Sequence, residues 1–247
     1  MEESSLSREN GYTGAVALVG AGEYLPAMDL VDLALLARLH DTPHVVVLPT
    51  ASAPDGPGVP ERWTKMGVDH FTRLGAKALM VMLLDRSDAE NPAIAEQIAA
   101  ANFVYFSGGK PRYLLETLQG TAAWQAVLHV YESGGVVAGC SAGAMVMGGS
   151  LFDVPQIWRT LPALGLVPGI VVIPHFDELP GVFATITSNV QHGTTIVGID
   201  GMTALVQADG QHTVYGRGGV TVLTEKSKTR YTAGQQVTLQ GRNDEVS

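Results

Sequence analysis

Apolar residues along this chain fall into two alternating rhythms. Short runs rich in Val, Leu and Ile predict strands at Ala15–Val19, His44–Leu48, 78–84 and Phe103–Phe106, with a fifth beginning at Val136. Between them lie stretches with apolar positions at helical spacing, at 28–39, 61–74, 92–101, Pro111–Leu118 and 121–132. Asn91-Pro92 reads as a cap followed by a first-turn proline. Strands that are apolar throughout, each separated by a helix, predict a mostly parallel, doubly wound α/β sheet with helices on both faces.

In the C-terminal part the pattern changes. Runs at 170–173, Thr195–Ile199, 203–207 and Gly219–Leu223 predict strands joined by short turns, with one helix at 180–191. They are expected to close the same sheet as antiparallel edge strands. A single α/β domain over 14–240 follows, behind a polar tail at 1–13.

Composition narrows the function classes. At 247 residues, with 46% hydrophobic and 16% charged, the chain can bury a large core. Its net charge of −9 argues against nucleic acid, whose affinity comes largely from a basic face. There is no polybasic stretch to suit an anionic membrane surface, no apolar run long enough to span a bilayer, and no signal-peptide core in the first residues. Cys140 is the single cysteine, so neither an internal disulfide nor a cysteine-rich metal site is available. The expectation is a cytoplasmic protein without metal or cofactor.

The strongest chemical signal is Gly139-Cys-Ser-Ala-Gly143, which fits G-x-S-x-G between an apolar strand and a plausible helix, Ala142–Met147. A serine there sits on a strained strand-to-helix turn. Small residues on either side let strand and helix close around it, and the Ala142 N–H points where an oxyanion would form. Centring the motif on Cys140 would need glycine at 138 and 142, and both are alanine, so the frame selects Ser141 as nucleophile.

A serine nucleophile needs a base, and the base a carboxylate. Among seven histidines, His175 directly follows the apolar run 170–173, at a strand's carboxyl end where sites of such sheets lie. His192 is second choice. Two acids compete for the orienting role: Asp153, the only Asp or Glu between Ser141 and His175, and Asp177, which forms His-x-Asp. Ser107-Gly-Gly109 ends another strand and can supply the second oxyanion donor. Gly20-Ala-Gly22 lacks the third glycine of a dinucleotide fingerprint, so no nucleotide site is expected there.

With strand–Ser-Gly-Gly, Gly-Cys-Ser-Ala-Gly-Ala and Pro-His-Phe in this order, the sequence resembles the S51 serine peptidases. That family includes aspartyl dipeptidases and cyanophycinases on a class I glutamine amidotransferase-like fold. Gly198-Ile-Asp200 with Thr203-Ala-Leu-Val206 extends the resemblance. It implies Ser141 as nucleophile, His175 as base, Gly109 and Ala142 as oxyanion donors, a short peptide as substrate, and a homodimer. Asp153, in Phe152-Asp-Val-Pro155, falls where the dipeptidase branch carries its Asp-x-Pro acid, which favours it over Asp177.

The departures concern substrate. Pro111 stands where cyanophycinases typically have glutamine, and Asp177, Glu178 and Pro180 follow His175 where they have arginines. Lys110 and Arg112 are candidates to pair with an acidic side chain or terminal carboxylate of a substrate; a surface ion pair is the alternative. The resulting expectation is a dipeptidase-like serine peptidase. A catalytically silent binding domain and a hydrolase of β-aspartyl peptides are the competing readings; a glutaminase is disfavoured by serine in place of cysteine.

Overall fold

The computed structural model describes residues 14–153, 156–179 and 195–239. In chain order the described elements are β1 (Ala15–Val19), α1 (Asp29–Leu36), β2 (His44–Leu48), α2 (Val59–Arg73), β3 (Lys77–Met80), α3 (Arg86–Ala89), α4 (Pro92–Ala99), β4 (Phe103–Phe106), α5 (Pro111–Leu118), α6 (Ala122–Glu132), β5 (Val136–Cys140), α7 (Ala142–Met147), β6 (Gly148–Asp153), β7 (Gln156–Pro162), β8 (Val167–Ile173), β9 (Thr195–Ile199), β10 (Thr203–Ala208), β11 (Gln211–Gly216), β12 (Gly219–Leu223) and β13 (Lys228–Thr232).

Seven strands form one sheet in the order β11-β10-β1-β5-β4-β2-β3. From β1 to β3 all neighbours run parallel, and β10 and β11 add antiparallel strands on the other side. The strands are apolar throughout because both faces are buried. In β5, Val137 joins the core beneath α4, α6 and α7, while Val136, Ala138 and Cys140 join the one beneath α1 and α2. A one-residue slip would exchange these two sets, so the register is tightly specified.

The helix boundaries follow local chemistry. Asn91 caps α4 by accepting the Ala93 N–H at 3.0 Å, with Pro92 at the first position that needs no donor. Thr121 caps α6 through the Trp124 N–H at 3.3 Å.

Three features differ from the sequence expectation. The third strand ends at Met80, not Leu84. Val81 and Leu83 turn inward as buried residues, and the Leu83 and Leu84 carbonyls accept the hydroxyls of Thr50 and Tyr113. Side chains thus satisfy the backbone that a ladder would otherwise have used. Second, the later strands do not all close the first sheet. β10 and β11 do, but β13-β12-β9-β8-β6-β7 form a sheet of their own. Its parallel centre, β6-β8-β9, is buried on both sides: Ile170 and Val172 face the core shared with α7, and Val171 and Ile173 face a cluster with Phe152, Ile196 and Leu223. Third, the Gly148–Asp153, Gln156–Pro162, Gln211–Gly216 and Lys228–Thr232 strands had no counterpart in the pattern. The helix expected at 180–191 lies outside the described residues.

Candidate active site

Strands β1, β4 and β5 lie side by side, so the loops after Val19, Phe106 and Cys140 meet at one edge. Ser141 stands at the end of β5 with φ 50° and ψ −108°, a conformation non-glycine residues rarely adopt. Its N–H bonds the Val19 carbonyl at 2.9 Å, and Met145 returns an N–H to the Ser141 carbonyl at 3.0 Å, locking the turn from both sides. The flanking glycines are needed for close approach. A Cβ on Gly139 would meet the Gly143 carbonyl carbon at 2.6 Å, and one on Gly143 would meet the Phe106 carbonyl oxygen at 2.7 Å.

His175 leaves the end of β8 in the left-handed region (φ 51°). Its Nε2 lies 3.2 Å from Ser141 Oγ. Phe176, next in sequence, packs against the apolar cluster that includes Phe152, Ile173 and Ile196 and so anchors the turn that aims the imidazole. On the other side of the ring, Nδ1 lies 3.4 Å from Glu178 Oε2, three residues along. The Ser141 hydroxyl and the His175 imidazole therefore arrive from different sheets.

The acids weighed from sequence go elsewhere. Asp153 Oδ1 accepts from Arg112 Nη1 at 2.9 Å, and Asp177 Oδ1 accepts the Gly201 N–H at 2.8 Å. Among the described residues, the carboxylate within ion-pair reach of His175 is that of Glu178. Sequence reasoning passed over it; the i,i+3 spacing His-x-x-Glu was the available signal. His192 lies outside the described residues.

The Ser107-Gly-Gly109 loop adjoins the elbow. A Cβ on Gly108 would lie 3.4 Å from Ser141 Cβ. Gly109 has φ 145°, and a side chain there would run into the Ala51 backbone. Gly108 gives its N–H to Glu23 and Lys110 gives its own to Ala51, so the Gly109 amide stands between two anchored neighbours. Ala142 is the first residue of α7, where an N–H has no acceptor within its own helix. Lys110 and Arg112 are in surface ion pairs: Lys110 Nζ with Asp55 at 3.4 Å, and Arg112 Nε with Glu116 at 2.8 Å in addition to Asp153.

Cys140, beside the serine, is fully buried. Burial, reinforced by the neighbouring Glu23 carboxylate, holds its thiol well above the ordinary range, so it stays protonated. A hydroxyl within hydrogen-bond reach of an imidazole that is itself faced by a carboxylate can be deprotonated as it attacks a carbonyl. Among the described residues no group of three or more His, Cys, Asp or Glu side chains could hold a metal ion, and no helix is long and apolar enough to cross a membrane.

Comparison with known proteins identifies the family and the fold. The family model for peptidase family S51 matches residues 16–215. Cyanophycinases of Synechococcus elongatus and Thermosynechococcus vestitus are each 28% identical over 242 residues, covering 91% of this chain and 73% of theirs. The crystal structure of a peptidase from an acI-B1 actinobacterium superposes with a TM-score of 0.84 at 33% identity, covering 92% of this chain and 97% of that one. A putative peptidase E protein from Listeria monocytogenes shares the fold, with a TM-score of 0.62 at 19% identity and coverage of 83% and 99%.

Proposed function

The chain belongs to peptidase family S51, and within that family we propose that it cleaves short peptides through an acyl-enzyme on Ser141. One observation carries the reading: Ser141, held at positive φ on its elbow, has its Oγ 3.2 Å from His175 Nε2. In this mechanism His175 takes the hydroxyl proton as Ser141 Oγ attacks the peptide carbonyl carbon, then gives it to the departing amine. Water, deprotonated by the same nitrogen, hydrolyses the ester and frees Ser141. The N–H groups of Ala142 and Gly109 receive the oxyanion; in acyl-transfer enzymes removing one such donor costs roughly 10²- to 10³-fold in rate. Glu178 faces Nδ1 and favours the tautomer that leaves Nε2 free to accept. The mechanism calls on no cofactor.

A short substrate of dipeptide size is the preferred reading. Arg112, three residues past Gly109, is the group we assign to a substrate carboxylate, with Asp153 holding its guanidinium in place. A second reading, β-aspartyl peptides, is supported by the similarity to cyanophycinases over 91% of the chain. Against it stand Pro111 and the acids after His175.

Labelling by a fluorophosphonate tests the nucleophile: the wild type should label and Ser141→Ala should not, and equal labelling would overturn the assignment. Dipeptides beginning with Asp, Glu, Asn or Leu, set against β-aspartyl-arginine, then test the substrate. A clear preference for β-aspartyl-arginine would replace the first substrate reading with the second.

A further inference from the structure

Glu23 is a buried acid that the mechanism above does not use. It follows β1 after the loop Gly20-Ala-Gly22 and is only 9% exposed. A carboxylate so placed is tolerated when its oxygens are hydrogen-bonded. Here Oε1 accepts the Gly108 N–H at 3.1 Å, and Oε2 accepts the Cys140 thiol at 2.8 Å.

Those two donors belong to different strand ends. Gly108 lies in the loop after β4, next to Gly109; Cys140 closes β5, next to Ser141. One side chain thus ties the loop with the proposed oxyanion donor to the strand that presents the proposed nucleophile. A Cβ added to Gly108 would lie 3.0 Å from Glu23 Oε1 and 3.4 Å from Ser141 Cβ, so carboxylate, loop and nucleophile flank one point. The next residue reinforces the tie: Tyr24 Oη and Ser107 Oγ are 2.7 Å apart in a buried hydrogen bond.

We infer that Glu23 is a positioning residue that sets the spacing between the Gly109 N–H and Ser141 Oγ by clamping the Ser107-Gly108-Gly109 loop to the end of β5. This rests on the peptide-cleaving reading above. A carbonyl must reach nucleophile and oxyanion donor at once, and a misplacement of about 1 Å can cost roughly 100-fold. Glu23 does this without touching the substrate.

The test is the second-order rate of fluorophosphonate labelling of Ser141, since the phosphonyl oxygen must enter the same donor pair. Glu23→Ala should label about 30- to 100-fold more slowly per folded molecule. Glu23→Gln keeps an oxygen acceptor for the Gly108 N–H and should stay within about 5-fold of wild type. Glu23→Asp keeps the charge but is one methylene too short to hold both anchors, and should slow about 10-fold; it serves if the alanine variant does not fold. A merely structural role would reduce the fraction of protein that labels while leaving the rate constant of the labelled fraction unchanged, and that result overturns the inference. Wild-type rates in Glu23→Ala and Glu23→Asp overturn it as well. No labelling of the wild type would bring down the hydrolase reading and this inference together, a result distinct from equal rates across the variants.

Discussion

His175 Nδ1 faces Glu178 Oε2 at 3.4 Å, within a single turn of chain. The carboxylate at the imidazole is therefore local in sequence and largely exposed, whereas Asp153 is engaged with Arg112. Glu178→Gln should lower kcat about 10-fold with little change in KM, a modest loss because solvent screens an exposed pair. Asp153→Asn should leave kcat within about 3-fold and act on KM through Arg112. Steady-state kinetics on any cleaved peptide separates the two, and a larger kcat loss in Asp153→Asn would return the orienting role to that residue.

Removing the imidazole should be far more damaging. His175→Ala is expected to lose at least about 10³-fold in kcat, as in other serine hydrolases deprived of their base. Its thermal melt should remain close to wild type, since the ring is only half-buried.

The elbow stores backbone strain. Ser141 at φ 50° costs on the order of 1–3 kcal/mol relative to a residue without a Cβ. Ser141→Gly should thus raise the melting temperature by roughly 2–4 °C per kcal/mol of strain released, less the added backbone entropy of glycine in the unfolded chain, while abolishing activity. Calorimetry of Ser141→Ala and Ser141→Gly side by side isolates the backbone contribution, since both lack the hydroxyl.

Gly109 presents the opposite case. With φ 145° and the Ala51 backbone against it, Gly109→Ala should destabilise the fold by about 1–3 kcal/mol and depress turnover further by displacing the loop. Denaturant melts and kinetics on the surviving folded protein measure the two effects.

Cys140 gives a pH-dependent prediction. Its thiol is held protonated in the fold, above the unfolded value near about 8.5, so the unfolded chain binds fewer protons once pH passes that value. The stabilisation is fully present below about pH 8.5 and declines as pH rises toward the folded pKa, by up to about 1.4 kcal/mol per pH unit. Cys140→Ala should flatten that alkaline decline. In the native wild type the thiol should resist iodoacetamide at neutral pH and react once the chain is unfolded.

The parallel sheet and the elbow were legible because both depend on local signals: uninterrupted apolar runs for β1, β2, β4 and β5, and the Gly139 and Gly143 spacing for the turn. Asn91 likewise announced helix α4. The second sheet was not legible, because whether β8, β9 and β12 join the first sheet or form their own depends on packing around α7. Glu178 was overlooked because chain order drew attention to the acid lying between serine and histidine. Glu23 carries no motif: only the folded loops bring residues 23, 108 and 140 together.

Ser141 and His175 approach each other from separate sheets, and the six-residue helix α7 contributes Ala144, Val146 and Met147 to the core that joins those sheets. Under the proposed mechanism, catalytic competence becomes a gauge of how the two halves are seated. A slight loosening at the seam would part the pair before either sheet lost its own ladder. On heating, turnover should fade while far-ultraviolet circular dichroism still reports intact secondary structure, and substitutions at the seam offer a means of tuning rate without touching any reacting group.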